Sequence, residues 1–189
     1  RMSDSSTNGR RILSLALPHL PTDRIARLRW GGNWRASGRP EHPPVAMTAR
    51  DGPAIRLAAL DEHAERLGLR LGLGLAEARA RHPDLDVRPA EPDAAQRFLE
   101  AIADWCDRYT PLVALDGDSG LFLDITGCAH LFGGEKALMD DLLARLFHQG
   151  LSAGAAIAAT PGAAFALSRY SSGMIVETGA EAGALRPLP

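Results

Sequence analysis

The 189-residue sequence predicts an α/β (α+β) fold of ferredoxin-like order, a mixed β-sheet backed by helices with a small unit inserted after the first strand. Three stretches predict it. Residues 11–17, "RILSLAL", form a short apolar run closed by Pro18, which suits a buried strand. Residues 112–127, "LVALDGDSGLFLDITG", read as two strands folded back around a tight acidic turn. Between them, "EPDAAQRFLEAIADWCDRY" repeats Phe98, Ile102, Trp105 and Tyr109 on one helical face, and that face must lie on a sheet.

The other elements follow in chain order. Residues 1–10 are polar, have no apolar h-region and read as a flexible tail. "PTDRIARLRW" predicts a short helix capped by Thr22 with Ile25 and Leu28 on its apolar face. Residues 31–44, dense in Gly and Pro, must be loop. "AIRLAALDEHAERLGLRLGLGLAEARARHPDL", residues 54–85, reads as a strand, a helix around 61–67 stopped by Gly68, and a second short helix around 75–82 stopped by Pro83. The long helix starts with Asp93 and Gln96 at capping-box spacing. Beyond the hairpin, residues 135–149 place Leu138, Leu142 and Leu146 on one face and end at Gly150. "LSAGAAIAAT" is a small-residue strand, Pro161 opens a helix after Thr160, and "MIVE" closes as a last strand.

Composition narrows the function classes. A hydrophobic content of 46% with 23% charge is that of an ordinary globular protein, and no apolar run approaches the roughly 18 residues of a membrane span. A cytoplasmic protein without membrane association is expected. Cys106 and Cys128 have no C-x-x-C spacing and read as free thiols. A net charge of −2 argues against holding nucleic acid by bulk electrostatics, so any DNA contact should be weak or local. His19, His63, His82, His130 and His148 show no i, i+4 metal spacing, and "GLRLGLGL" lacks the strand-to-helix context of a phosphate loop. Trp30, Trp34, Arg35 and Arg39 read as packing residues in preference to a template grip, because no basic stripe continues them.

Four segments in order resemble the Y-family (UmuC-like) translesion DNA polymerases. "YTPLVALDGDSGLFLDITG" is similar without a gap to that family's "YTP…SIDE-x-x-LD-x-TG" hairpin. "LGLRLGLGLAEARARHPDL" resembles its "FGV-x-x-G-M-x-x-x-EA…CP-x-L" fingers segment, "RILSLALPHLP" its first strand "hhhh-D-h-D-x-FF", and "AAIAATPGAAFALSR" its "GIA-x-NK-x-LAK-x-AS". The resemblance implies a Y-family polymerase palm with a mixed β-sheet and a small inserted fingers subdomain. The palm would take residues 11–20 and 86–178, the fingers 21–85, and residues 179–189 would begin a linker or thumb.

In active members, the resemblance implies, an Asp on the first strand and an Asp-Glu pair on the hairpin hold two metal ions. Those positions fall on Ala16, Ser119 and Gly120, none of which can replace a carboxylate on Mg²⁺. Gly120 also reads as a backbone position chosen for glycine. The remaining hairpin acids have plainer readings. Asp124 matches the family's own "LD-x-TG" Asp and braces the strand end, while Asp116 and Asp118 belong to a D-G-D-S-G turn. The family's nucleotide-reading Tyr-x-x-Arg falls on Glu62 and Glu65, a reversal of sign on the order of 4 kcal/mol for a close pair. Its phosphate-contacting Lys meets Pro161-Gly162 or its neighbours, where no Lys stands.

This pattern resembles the ImuB-type branch, Y-family relatives without catalytic carboxylates. The expected function is a scaffold, needing no cofactor, in DNA-damage-induced mutagenesis. The implied partners are an error-prone replicative-type DNA polymerase, a RecA-like accessory protein and the sliding clamp, mostly through regions outside this chain. An active translesion polymerase with a relocated metal site, on Asp116, Asp118 and Asp124, is the alternative. The first strand offers that alternative no carboxylate. Thumb, little finger and clamp-binding peptide would lie beyond Pro189, so the chain reads as an N-terminal piece.

Overall fold

The computed structural model describes residues 9–189, so the expected tail at residues 1–10 lies outside them apart from Gly9 and Arg10. The elements run β1 (Ile12–Ala16), α1 (Leu20–Trp30), β2 (Val45–Asp51), β3 (Ala54–Leu60), α2 (Glu62–Arg66), α3 (Leu75–Arg81), β4 (Asp86–Pro89) and α4 (Pro92–Trp105). They continue with β5 (Val113–Asp116), β6 (Gly120–Asp124), α5 (Glu135–His148), β7 (Gly154–Ala158), α6 (Pro161–Tyr170) and α7 (Glu181–Leu185). The chain divides into two compact units. The first takes the described residues up to Leu17 with Leu99–Arg145 and Ala153–Pro189, and the second takes Pro18–Phe98 with Leu146–Ser152.

The first unit is built on a four-stranded sheet of order β5-β6-β1-β7 whose neighbouring strands are all antiparallel. The apolar run of β1 makes it the centre, and Ile12, Leu13 and Leu15 are buried. One face carries Leu13 with Leu123 and Ile157, and Leu15 with Leu121 and Ala155, as cross-strand partners. The other face carries Ile12, Ala156 and Ala158, which pack with Ala163, Ala164 and Leu167 of α6 and with Val176. On α5 Leu138 and Leu142 are buried, as the periodicity predicts. On α4 Ile102 is buried as expected and Tyr109 beyond it is too, but Phe98 and Trp105 are only partly buried and Leu99, outside the expected face, is fully buried. Tyr109 Oη donates to Asp141 on α5 at 2.6 Å.

"MIVE" does not extend into a strand. It pairs with β7 through a single parallel bridge, Ile157 to Ile175, and that bridge is what makes the sheet mixed. Arg11 closes this edge, donating to both Glu135 oxygens at 2.7 and 2.8 Å and to the Val176 carbonyl at 2.8 Å. At the long helix the start also differs from the capping-box reading. α4 begins at Pro92, so Asp93 stands inside the first turn, where its charge favours the helix N-terminus without capping it.

The second unit holds a three-stranded sheet of order β3-β2-β4, antiparallel between β2 and β3 and parallel between β2 and β4. Its core joins Ala46, Leu57, Leu60, Ala64, Leu69, Ala78 and Leu85. Thr22 does not cap α1. The helix starts at Leu20, and the Thr22 hydroxyl is buried, donating to the carbonyls of His19 and Leu60 at 3.1 and 3.3 Å. The buried positions are Leu20, Thr22, Asp23 and Ala26, so Leu28 falls on the outer face and is 74% exposed. A polar pair in the buried stripe misdirects a reading by apolar periodicity alone.

Candidate functional site

In the first unit Ala16, Ser119 and Gly120 come together at one end of the sheet. Register places Ala16 opposite Gly120 on β6 and opposite Gly154 on β7, so three small residues lie side by side. Ser119 is adjacent, its carbonyl accepting from Leu17 N at 2.8 Å. The floor they make admits α6. A Cβ at Gly154 would stand 2.6 Å from the Ser168 carbonyl, and the Ser14 and Ser168 hydroxyls bond at 2.9 Å in the buried interface.

Above Gly120 lies an ion pair. Arg169 Nη2 is 3.1 Å from Asp116 Oδ2, and a Cβ at Gly120 would meet that Arg169 nitrogen at 2.9 Å and the Asp116 oxygen at 3.1 Å. Arg169 Nη1 further donates to Ser168 Oγ at 3.2 Å and to the Phe165 carbonyl at 3.4 Å. Its guanidinium carbon sits 3.6 Å from the centre of the Phe165 ring. Gly120 does not have a positive φ, so its glycine answers to crowding and not to the backbone conformation that the sequence suggests.

A divalent cation of the Mg²⁺ type needs several hard oxygen ligands. At this position the chain presents a methyl group, a glycine and one carboxylate already held by a guanidinium, and these residues do not fit such an ion. Among the described residues no group of three or more His, Cys, Asp and Glu is placed to hold a metal ion. Asp118 lies exposed in the turn. Asp124 accepts from Thr126 N and Oγ1 and from Arg10, which more than offset its partial burial and hold its carboxyl below the usual range.

Gly162 stands apart from these residues, exposed in the first turn of α6, with nothing within 4 Å of where its Cβ would be. The turn is capped by Thr160 Oγ1, which accepts from Ala163 N at 3.3 Å.

Glu62 and Glu65 belong to the second unit, on α2, and both carboxylates are engaged. Glu62 lies 2.8 Å from Arg35 and 3.4 Å from Arg39, and Glu65 lies 2.9 Å from His19 Nε2. Burial would raise the Glu62 carboxyl, but the hydrogen bond and charge of Arg35, with His19 and Arg39, bring it below its ordinary value. Arg35 continues the network to Asp23 at 2.7 Å and to the Gly150 carbonyl at 3.2 Å. The loop aromatics pack: Trp34 is buried, with Arg35 and Arg39 over its ring at 4.4 and 5.4 Å. Arg35 and Arg169, the two cations that organise these clusters, carry no motif signal, because their acidic partners are distant in sequence or belong to another element.

Residues 37–169 match the impB/mucB/samB family. Protein ImuB of Caulobacter vibrioides, in strains NA1000 / CB15N and ATCC 19089 / CIP 103742 / CB 15, is 48% identical over 124 residues, which are 65% of this chain and 27% of that protein. The chain therefore spans about a quarter of the length of these relatives. An insertion ternary complex of Dbh DNA polymerase superposes with a TM-score of 0.70 at 12% identity, over 88% of this chain and 48% of that one. A Y-family DNA polymerase chimera of Dbh and Dpo4 gives 0.73 at 10% identity, over 93% and 51%. DinB from Sulfolobus solfataricus gives 0.65 at 12% identity, over 93% and 50%. At these identities the likeness is one of fold, and the fold is that of the Y-family polymerases.

Proposed function

The chain belongs to the impB/mucB/samB family, and from that membership we propose that it is part of a non-catalytic Y-family polymerase-like protein acting in DNA-damage-induced mutagenesis as a scaffold for an error-prone polymerase complex. The observation that carries this reading is the Ala16–Gly120 pair with Arg169 and Asp116 above it. Two-metal phosphoryl transfer requires carboxylates from adjacent strands to clamp the attacking and leaving oxygens. Here the paired strand positions are Ala16 and Gly120, and Ser119 beside them has only a hydroxyl.

The nucleotide-handling positions support the same reading. Glu62 and Glu65 stand where the family places a Tyr and an Arg, and a carboxylate repels a triphosphate. Their bonds to Arg35, Arg39 and His19 give them a structural task within their own unit. Gly162 offers no ammonium to a phosphate. What the chain retains is the fold, with the β1–β6 register intact, and a fold without its chemistry is suited to holding partners. The partners are an error-prone replicative-type polymerase, a RecA-like accessory protein and the sliding clamp, met largely by regions outside these residues.

Primer extension by the intact protein with Mg²⁺ and all four nucleotides tests the reading. No extension is expected, and extension above a no-enzyme control refutes it. The 189-residue chain should bind primer-template with a Kd no better than about 10⁻⁶ M at physiological salt, the non-specific range. Nanomolar binding under those conditions would be incompatible with a scaffold whose DNA contact is weak.

A further inference from the structure

The guanidinium of Arg169 is positioned by four independent contacts: the Asp116 carboxylate, the Ser168 hydroxyl, the Phe165 carbonyl and the Phe165 ring. Its helix is seated by the buried Ser14–Ser168 bond and by the absence of a side chain at Gly154. The Arg169 and Asp116 side chains are only 24% and 19% exposed. An arginine keeps its charge at any pH a protein survives. The space over Gly120 is therefore occupied by a permanent cation. We infer that Arg169, clasped by Asp116, is the resident cation of this palm, standing where polymerases of this fold would place a divalent ion and closing the position to metal even when carboxylates are restored.

This inference rests on the non-catalytic reading and deepens it. Loss of ligands alone would leave an empty, reparable site. A resident guanidinium makes the loss two-sided, because a carboxylate introduced beside it is drawn into a charge-assisted pair before it meets a metal. Asp116 is the evidence in the native chain: among the described residues it is the one carboxylate at this position, and it is already taken.

The test is Mn²⁺ titration of the intact protein, with free Mn²⁺ read by electron paramagnetic resonance. The first pair of variants is Ala16→Asp with Gly120→Glu, with and without Arg169→Gln. Because Gly120→Glu must displace neighbours at 2.9 to 3.1 Å, a second pair leaves Gly120 intact and uses Ala16→Asp with Ser119→Asp, again with and without Arg169→Gln. Circular dichroism selects the pair that folds. Adding Arg169→Gln should tighten Mn²⁺ binding by about tenfold or more, the effect of removing one charge from a partly buried position. Equal affinity with and without Arg169 overturns the inference and leaves the non-catalytic reading standing. Primer extension by the wild-type protein would overturn that reading instead, whatever the Mn²⁺ titrations give.

Discussion

Replacing Asp23 by Asn removes a buried carboxylate whose ionisation the fold resists, and the consequence is a change in how stability depends on pH. Asp23 is 3% exposed and accepts from Arg35 Nη2 and from Ser152 N, both at 2.7 Å. Burial pushes its carboxyl from the ordinary 3.8 up to about 6, against the opposing pull of the Arg35 charge, the Ser152 amide and His19. A carboxyl raised on folding contributes stability that is complete below its unfolded value and is lost as pH rises through its folded value. Between pH 4.5 and 7 the loss works out at about 2 kcal/mol, taking about 1.36 kcal/mol for each tenfold change in proton affinity. Asp23→Asn lacks the titrating group. Urea unfolding of both proteins across that window, followed by the fluorescence of Trp34 in the same unit, should show the wild type losing about 2 kcal/mol relative to the variant as pH rises. The lowered carboxyls of Glu62 and Asp124 are common to both proteins and act with the opposite sign, below their ordinary values. Parallel curves, or a wild type that gains on the variant with rising pH, would refute the burial argument.

Two further outcomes are expected from packing. Gly154→Ala should destabilise the first unit by about 1–3 kcal/mol in thermal or urea unfolding, because its Cβ would stand 2.6 Å from the Ser168 carbonyl. Gly162→Ala, with nothing within 4 Å, should be neutral or stabilising by up to about 1 kcal/mol. In α1, Leu20→Ala should cost about 2–5 kcal/mol, whereas Leu28→Ala should stay within about 0.5 kcal/mol, the reverse of what apolar periodicity suggests; urea midpoints of the two variants decide it.

The elements legible in the sequence are those whose pattern repeats a local rule. The hairpin, α4, α5 and α6 were each announced by a period or a cap, and Thr160 does accept from Ala163 N as its place before Pro161 predicts. β2 and β4 were not legible. β2 bulges between Met47 and Thr48 and ends in exposed polar residues, while β4 is four residues long with no buried side chain. β2 owes its strand conformation to the pairing it makes with β3 and β4, and β4 to its pairing with β2. α1 misled because its buried stripe includes Asp23 and Thr22, whose partners lie on Arg35, Ser152, His19 and Leu60.

The candidate site divides along the same line. The pairing of β1 with β6 brings Ala16 and Gly120 opposite one another, and a one-residue slip in it would turn every side chain of β6 to the other face. What occupies the space above them is a matter of tertiary approach. Arg169 is 53 residues from Asp116, on a helix whose seat depends on Gly154, Ser14 and Ser168. Gly120 illustrates the difference: read alone it suggests a special backbone, and in the fold its φ is ordinary while its missing side chain makes room for a guanidinium. The glycine and the arginine therefore form one feature. A side chain at 120 would need Arg169 displaced, and displacing Arg169 would leave the Asp116 carboxylate unpaired and its cost uncompensated. Recovering a metal site in such a chain thus requires changing α6 as well as the strands it covers.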